Sequence, residues 1–152
     1  MVRLTKQTDY ALVLLTFMAR THAQERWTAT ELAAETTLPP PMVSKILKAL
    51  GRAGILVSHR GVKGGYSLCA PAAEISIARI VEVFEGPLAL TECTHPGGAA
   101  CDYAGHCPTA GNWGLISRAI AEALDSLTLE DMCRPMRRLP RQSAETPALA
   151  TT

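Results

Sequence analysis

The sequence predicts a mainly α-helical fold with a small β-wing. Three stretches with apolar residues at helical spacing come first, and two short extended segments joined by a glycine-rich turn follow them. A further amphipathic stretch, an aperiodic segment and a final apolar stretch complete the chain. This order is typical of a winged helix-turn-helix, here followed by a long C-terminal dimerisation helix.

The first three helices are placed by their caps and by a breaker. Thr8–Thr21 forms the first, with Thr8 as its predicted N-cap, and the second begins at the capping box Thr28–Glu31. The third follows prolines 39–41, which a first helical turn tolerates, and Gly54 closes it. The predicted buried faces of the first and third helices are formed by Ala11, Leu14, Leu15, Met18, Val43, Ile46, Leu47 and Leu50.

The period then changes from helical to extended. Ile55–Val57 and Tyr66–Leu68 are predicted strands, and the segment between them contains the turn Arg60–Gly65. A fourth helix is predicted between Ser76 as its N-cap and Gly86 at its end. The last helix starts at Gly111 and carries more apolar residues than a small domain needs, which favours a dimer interface: Trp113, Ile116, Ile120, Ala123, Leu124 and Leu127.

Length and composition exclude several classes of protein. With 152 residues, 47% of them hydrophobic, the chain can form a core, so a fully disordered protein is excluded. The apolar run Tyr10–Ala19 is too short to span a bilayer and no cleavage pattern follows it, so we expect a cytoplasmic protein. We find no catalytic set, because the histidines are scattered and no Ser or Cys has a nucleophile context, and we expect no enzyme activity.

The charge is unevenly distributed along the chain. Residues 1–68 carry nine Lys and Arg against four Asp and Glu, whereas residues 69–152 carry six against ten. No acidic residue occurs between Glu35 and Glu74, which is typical of a surface that binds phosphates, although a solvated basic face would look the same. In the winged fold the third helix enters the major groove, so the predicted DNA-binding residues are Ser44, Lys45, Lys48, Arg52, Arg60 and Lys63.

Three cysteines fall within fifteen residues, in the pattern Cys93-x7-Cys101-x5-Cys107. Five cysteines in all is an odd number, which fits metal binding or free thiols better than a disulfide framework. Thiolates favour zinc or iron–sulfur chemistry, and the wide gaps suit a larger cluster better than a zinc knuckle. Three unrelated reduced cysteines are the alternative. We expect Cys69 and Cys133, beside apolar segments, to be buried inert thiols.

These residues together resemble the Rrf2 family of bacterial transcription regulators. The likeness covers residues 2–131 and rests on Leu4–Ala11, on the wing Arg60–Tyr66 and on the three-cysteine loop followed by Trp113. Within the family the chain looks nearest the IscR-like and NsrR-like regulators of the SUF iron–sulfur assembly system. The resemblance implies a homodimer with two winged domains, crossed by the long C-terminal helix, and a cluster near the interface that tunes operator affinity.

The resemblance also implies the ligands of the cluster. Cys93, Cys101 and Cys107 would hold it, while Ser44, Lys45, Lys48 and Arg60 match the recognition-helix and wing positions. IscR-like members place a histidine three residues after the third cysteine, where this chain has Ala110. NsrR-like members take an aspartate from the first helix of the partner subunit, where this chain has Asp9. The competing fourth ligands are His106, His95 and Glu92, and the cluster is [2Fe-2S] or [4Fe-4S].

The predicted organisation has four parts: a winged helix-turn-helix DNA-binding domain (1–86), a cysteine-rich cluster-binding loop (87–110), a dimerisation helix region (111–133) and a disordered tail (134–152). The predicted function is an iron–sulfur regulator that responds to redox state or nitric oxide, binds double-stranded operator DNA and controls SUF genes. An NsrR-like nitric-oxide-sensing repressor, a metal-free thiol-switch repressor and a zinc-stabilised interaction module are the alternatives.

Overall fold

A computed structural model describes residues 3–21, 26–61, 64–94 and 106–134 of the chain. Its helices and strands are α1 (Lys6–Arg20), α2 (Ala29–Thr36), α3 (Pro40–Arg52), β1 (Leu56–His59), β2 (Gly65–Leu68), α4 (Ile77–Glu85), α5 (Ala110–Asp125) and α6 (Leu129–Cys133). Short 3-10 turns lie at Ala72–Glu74 and Glu92–Thr94. The described part is therefore mainly helical with one two-stranded antiparallel sheet, as the sequence predicts.

The first helix begins three residues earlier than predicted. Thr5 is its N-cap, and the Thr5 hydroxyl accepts a hydrogen bond from the backbone N–H of Thr8 at 3.4 Å. Thr8, the N-cap that the sequence predicts, is instead fully buried inside the first turn. The prediction of Thr8 was wrong because two threonines stand three apart, and only the tertiary fold decides which one is the cap.

The second and third helices form the helix-turn-helix. The capping box of Thr28 and Glu31 is present, with both reciprocal hydrogen bonds formed. Thr37 ends α2 in the left-handed conformation at φ 55°, and Pro39 is the N-cap of α3, with prolines at the next two positions. Only residues 37–39 separate the two helices, which is the short turn that this motif requires.

The wing is fixed to the rest of the domain through Trp27. β1 and β2 pair from Leu56 opposite Leu68 to His59 opposite Gly65. Trp27 forms an antiparallel bridge with Tyr66 of β2. Its backbone N–H donates to the Tyr66 carbonyl at 2.9 Å and its carbonyl accepts from the Tyr66 N–H at 2.8 Å. The Trp27 ring also packs edge-on against Phe17 of α1, with centroids 5.2 Å apart. Trp27 thus connects the wing to α1.

One hydrophobic core joins all the helices that precede the cysteine segment to the last helix. The apolar faces predicted for α1 and α3 are buried, as is Leu32 of α2. The buried apolar residues after the wing, among those that the structure describes, are Ile75, Ile77, Ile80, Val81 and Leu129. Leu129 belongs to α6, so a residue near the end of the described chain completes the core formed by the first four helices and the wing.

The predicted last helix is divided in two, which corrects the expectation of one long helix. α5 ends at Asp125, and Leu127, predicted to be helical, lies in the connection to α6. A second capping box, formed by Thr128 and Asp131, starts α6, which packs along α1. Within the described residues, no helix combines the length and the apolar character that a membrane span requires.

Candidate nucleic-acid interface and cysteine segment

The outer face of α3 presents three cations to solvent. Lys45, Lys48 and Arg52 are exposed, while the opposite face buries Val43, Ile46, Leu47 and Leu50 completely. At about 100° and 1.5 Å per residue, the three cations lie within roughly 60° of arc and about 10 Å of helix length. Ser44 is half-buried at the edge of this face. The arrangement forms a compact positive strip along the helix.

The positive strip keeps its charge unpaired in the described part of the chain. The ion pairs found there are those of Arg134 with Glu130 and with Asp131, at 3.3 and 3.1 Å, both near the end of the described chain. The sequence between Glu35 and Glu74 contains no Asp or Glu, so the cations of α3 have no carboxylate partner nearby in the sequence. Cations without carboxylate partners are available to neutralise phosphates.

The wing adds a further exposed cation. Arg60 is exposed at the end of β1, and Gly61 follows it with φ +101°, a conformation that favours glycine. Gly65 has φ +148°, and a Cβ there would stand 2.8 Å from the Trp27 carbonyl oxygen. Both glycines therefore serve the geometry of the wing. Lys63, the other predicted wing contact, lies outside the described residues.

Two of the three clustered cysteines are described. Cys93 is exposed in the 3-10 turn before the undescribed segment, with its Sγ 3.2 Å from the Thr91 hydroxyl. Cys107 is half-buried just before α5, with its Sγ 3.4 Å from the Thr109 hydroxyl. Cys101 lies outside the described residues. The two described thiols therefore flank the segment that connects α4 to α5.

The predicted fourth ligands are distributed over different parts of the molecule. Asp9 is exposed in the first turn of α1 and lies beside an open groove of about 440 Å³ between α1, α2 and α6. His106 is exposed next to Cys107, whereas His95 lies outside the described residues. In residues 3–21, 26–61, 64–94 and 106–134, no three His, Cys, Asp or Glu side chains come together as a metal site.

The remaining cysteines differ from each other. Cys69 follows β2 and is exposed, so the expectation that it is buried was wrong: the alternation of β2 buries Leu68 and turns the next residue outward. Cys133 is half-buried in α6, where its thiol lies 3.9 Å from the Thr16 carbonyl oxygen. Burial raises the pKa of the Cys133 thiol, which keeps it protonated and unreactive.

Two charged residues of α4 were missed by the sequence analysis. Glu85 accepts hydrogen bonds from the Thr8 hydroxyl and from the backbone N–H and hydroxyl of Thr5, and these bonds hold the pKa of its carboxyl below the ordinary value. Arg79 donates to the carbonyl oxygens of Ala53 and Gly54 at the end of α3, both at 3.3 Å. The partners lie at least 25 residues away along the chain, so no local pattern could reveal them.

Comparison with known proteins identifies the family. The model of the Rrf2 family, described as "Iron-dependent Transcriptional regulator", matches residues 4–135. The chain belongs to the Rrf2 family. The prediction of this family is confirmed, and because its members are transcription regulators, the expectation that the chain is not an enzyme holds as well.

Relatives and solved structures agree with this assignment. The chain is 32% identical over 133 residues to protein aau3 of Rhizobium meliloti, covering 88% of this chain and 86% of that one. It is 31% identical over 131 residues to the HTH-type transcriptional regulator NsrR of Geobacillus kaustophilus, covering 86% and 89%. The fold is similar to the solved structure of CymR, the global cysteine regulator of B. subtilis, with a TM-score of 0.70 and 27% sequence identity. The match covers 88% of this chain and 97% of the CymR chain.

Proposed function

We propose that this Rrf2 protein is a cytoplasmic, homodimeric repressor that binds operator DNA through α3 and the wing, and that an iron–sulfur cluster in the cysteine segment sets its affinity. Its targets are genes of iron–sulfur cluster assembly, the SUF genes. The observation that carries the DNA-binding part is the unpaired positive strip on α3, together with the exposed Arg60 of the wing.

The chemistry of the donors supports the cluster. Cys93, Cys101 and Cys107 supply soft thiolates, the ligands that iron–sulfur clusters use in proteins. The description of the family as iron-dependent points to the same metal. When bound, the cluster supplies iron sites that react with oxygen or nitric oxide and change charge on reduction. The hydroxyl groups of Thr91 and Thr109, each beside a cysteine sulfur, help to orient these ligands.

Asp9 of the partner subunit is our first choice for the fourth ligand, and His106 is the second. Asp9 is exposed and adjoins an open groove of α1, so a second copy of the chain can reach it. A carboxylate favours the N-terminal end of α1 in any case because of the helix dipole, so its position alone does not decide its role. His106 stands next to Cys107 and would complete the site within one subunit.

Exposed apolar side chains support the homodimer. Trp113, Leu115 and Ile116 lie within one turn of α5 and are 37%, 62% and 44% exposed. Large apolar side chains clustered on the surface of one helix mark an interface, because water contact with them costs free energy. The symmetric assembly most common for such a patch is a twofold dimer.

The test begins with the full chain purified without oxygen. We expect visible absorption from thiolate-bound iron. This absorption should be lost in each of the variants Cys93→Ser, Cys101→Ser and Cys107→Ser. Cys69→Ser is the matched control, since Cys69 is an exposed thiol outside the segment. A colourless protein that contains zinc, or colour that survives Cys101→Ser, would contradict the cluster assignment.

The fourth ligand and the regulated DNA are tested on the same material. Asp9→Ala should change the spectrum and the reaction with nitric oxide, whereas His106→Ala should not; the reverse result moves the assignment to His106. Binding to promoter fragments of SUF genes is measured by fluorescence anisotropy, with unrelated DNA of equal length as the control. Equal affinity for both fragments at matched salt would rule out the proposed targets.

A metal-free thiol switch is the second candidate function. The likeness to CymR, named as a cysteine regulator, favours it. In that case oxidation of the clustered thiols, rather than a cluster, would change DNA affinity. The two candidates separate in one experiment, because a thiol switch keeps its response to oxidant in protein stripped of iron.

A further inference from the structure

The C-terminal end of α4 is bonded to the N-terminal end of α1. One carboxylate oxygen of Glu85, Oε1, accepts from the backbone N–H and from the hydroxyl of Thr5, both at 2.8 Å. The buried hydroxyl of Thr8 donates to the same oxygen. Three donors from one helical turn thus converge on a single oxygen atom, which places a negative charge at the positive end of the α1 dipole.

The opposite arrangement holds near the start of α4. Arg79 Nη2 lies 3.3 Å from the carbonyl oxygens of both Ala53 and Gly54, directly after the last turn of α3. These carbonyls form the negative end of the α3 dipole, so the guanidinium complements them. Arg52, a predicted DNA contact, is the last residue of α3 and adjoins this bond. We name the two sets of bonds, made by Arg79 and Glu85, the α4 bridge.

The cysteine segment adjoins α4 at both of its ends. Gly86 follows Glu85 directly, with φ +76°, and Cys93 comes eight residues after Glu85. On the other side, α5 begins three residues after Cys107 and packs on α4 around a cavity of about 190 Å³. The start of α4 is also bonded to the connection between α5 and α6, because the Ile77 N–H donates to the Leu127 carbonyl at 2.8 Å. A rearrangement of the segment therefore acts on α4 first.

From these contacts we propose that α4 transmits the state of the cysteine segment to the DNA-reading helix, with Glu85 and Arg79 as the positioning residues. The proposal rests on the function proposed above. A helix of nine residues is a rigid rod of about 13 Å. A displacement at Gly86 moves Glu85 and the first turn of α1, which holds Asp9, and through Arg79 it moves the end of α3.

The experiment measures operator affinity of the full chain with its cluster and after removal of the cluster. In wild-type protein we expect the two affinities to differ by about 5–150-fold, the usual range of coupling between two sites. Glu85→Gln removes the charge and Arg79→Met removes the donors, and each should bring the two affinities within about twofold of each other. Glu82→Gln is the matched control, since it neutralises an exposed carboxylate on the same helix and should keep the wild-type ratio.

A second readout distinguishes transmission from general destabilisation. Amide hydrogen exchange at residues 53–55, where α3 ends, should differ between the two states in wild type and be equal in both variants. The visible spectrum and the unfolding midpoint of the cluster-loaded variants should remain those of Glu82→Gln. If Glu85→Gln does not fold, Glu85→Asp keeps the charge and shortens its reach, and Arg79→Met tests the bridge from the other end.

The possible results separate the two proposals. A wild-type protein that holds a cluster and changes affinity with it, together with variants that keep the same ratio and the same exchange difference, overturns the bridge and leaves the proposed function standing. A wild-type protein that binds operator equally well in both states overturns the regulatory part of the proposed function and the bridge with it. Loss of the ratio in Glu82→Gln as well would show that any change on α4 suffices, which also overturns the bridge.

Discussion

Lys48 occupies the middle of the exposed face of α3, and its removal is the sharpest test of how the protein meets DNA. Lys48→Ala deletes one cation between Lys45 and Arg52 and leaves the buried face of the helix untouched. Alanine favours a helix at least as well as lysine, so the fold should not suffer. The expected effect is a weaker dependence of binding on salt, in addition to a loss of affinity.

The magnitude follows from counting the described cations of the interface. In the proposed dimer, the exposed Lys45, Lys48, Arg52 and Arg60 of two subunits would make eight phosphate contacts. At about 0.9 per contact, the logarithm of the binding constant should fall with the logarithm of salt with a slope of about −7. Lys48→Ala removes one contact per subunit and brings the slope to about −5. A fourfold increase in salt should then weaken wild-type binding about 20,000-fold and variant binding about 2,000-fold.

The assay is fluorescence anisotropy of a labelled operator at four or more salt concentrations. Arg134→Ala serves as the control, because Arg134 is an exposed arginine whose charge is already paired with Glu130 and Asp131, and its slope should equal that of wild type. The same loss should appear with unrelated DNA, since phosphate contacts carry no sequence information. A Lys48→Ala protein that keeps the wild-type slope would refute the placement of α3 against the DNA backbone.

Three further predictions follow from the fold. Leu14→Ala should lower the free energy of unfolding by about 2–5 kcal/mol in urea titrations, because Leu14 is completely buried in the core. Gly65→Ala should lower the free energy of unfolding by about 1–3 kcal/mol, because the new Cβ would stand 2.8 Å from the Trp27 carbonyl oxygen. Gly114→Ala is the control: Gly114 is helical, no described atom lies within 4 Å of its Cβ position, and the free energy of unfolding should rise by about 0.5–1 kcal/mol. Equal effects of the two substitutions would contradict the close approach at the wing. The pKa of Glu85 lies below its usual 4.5, so its contribution to stability is present above that pH and is lost as the pH falls through the lowered value. Glu85→Gln should therefore flatten the dependence of the unfolding midpoint on pH between about pH 5 and pH 3, and a profile as steep as that of wild type would contradict the bond to Thr5 and Thr8.

Most of the helices could be predicted from the sequence because apolar spacing and capping residues act within a few positions of each other. The spacing of Val43, Ile46, Leu47 and Leu50 predicted the buried face of α3 exactly where the structure has it, and the capping box at Thr28 predicted the start of α2. These features depend on residues three or four apart. They do not depend on which distant element covers the face.

The same reasoning explains where prediction went wrong. Thr5 and Thr8 both suit the start of α1, and Glu85, which decides between them, stands 77 residues beyond Thr8. The break between α5 and α6 was different, because its signal was present: Thr128 and Asp131 have the spacing of a capping box. An aspartate in place of the usual glutamate made the motif easy to overlook.

The division of the last helix changes how the dimer and the DNA-reading domain relate. In one continuous helix the apolar residues of 111–133 would all be available to a partner subunit. In the structure, α6 returns to α1, and its Leu129 is completely buried in the core. Trp113, Leu115 and Ile116 of α5 remain exposed, as do Leu127 and Met132, and an open groove lies between α1, α2 and α6. These apolar side chains and the α1 groove form the surface on which a second subunit of the proposed dimer would dock. Because α1 carries Asp9 and also packs against α3, a subunit that docks on this surface contacts the element that supports the DNA-reading helix.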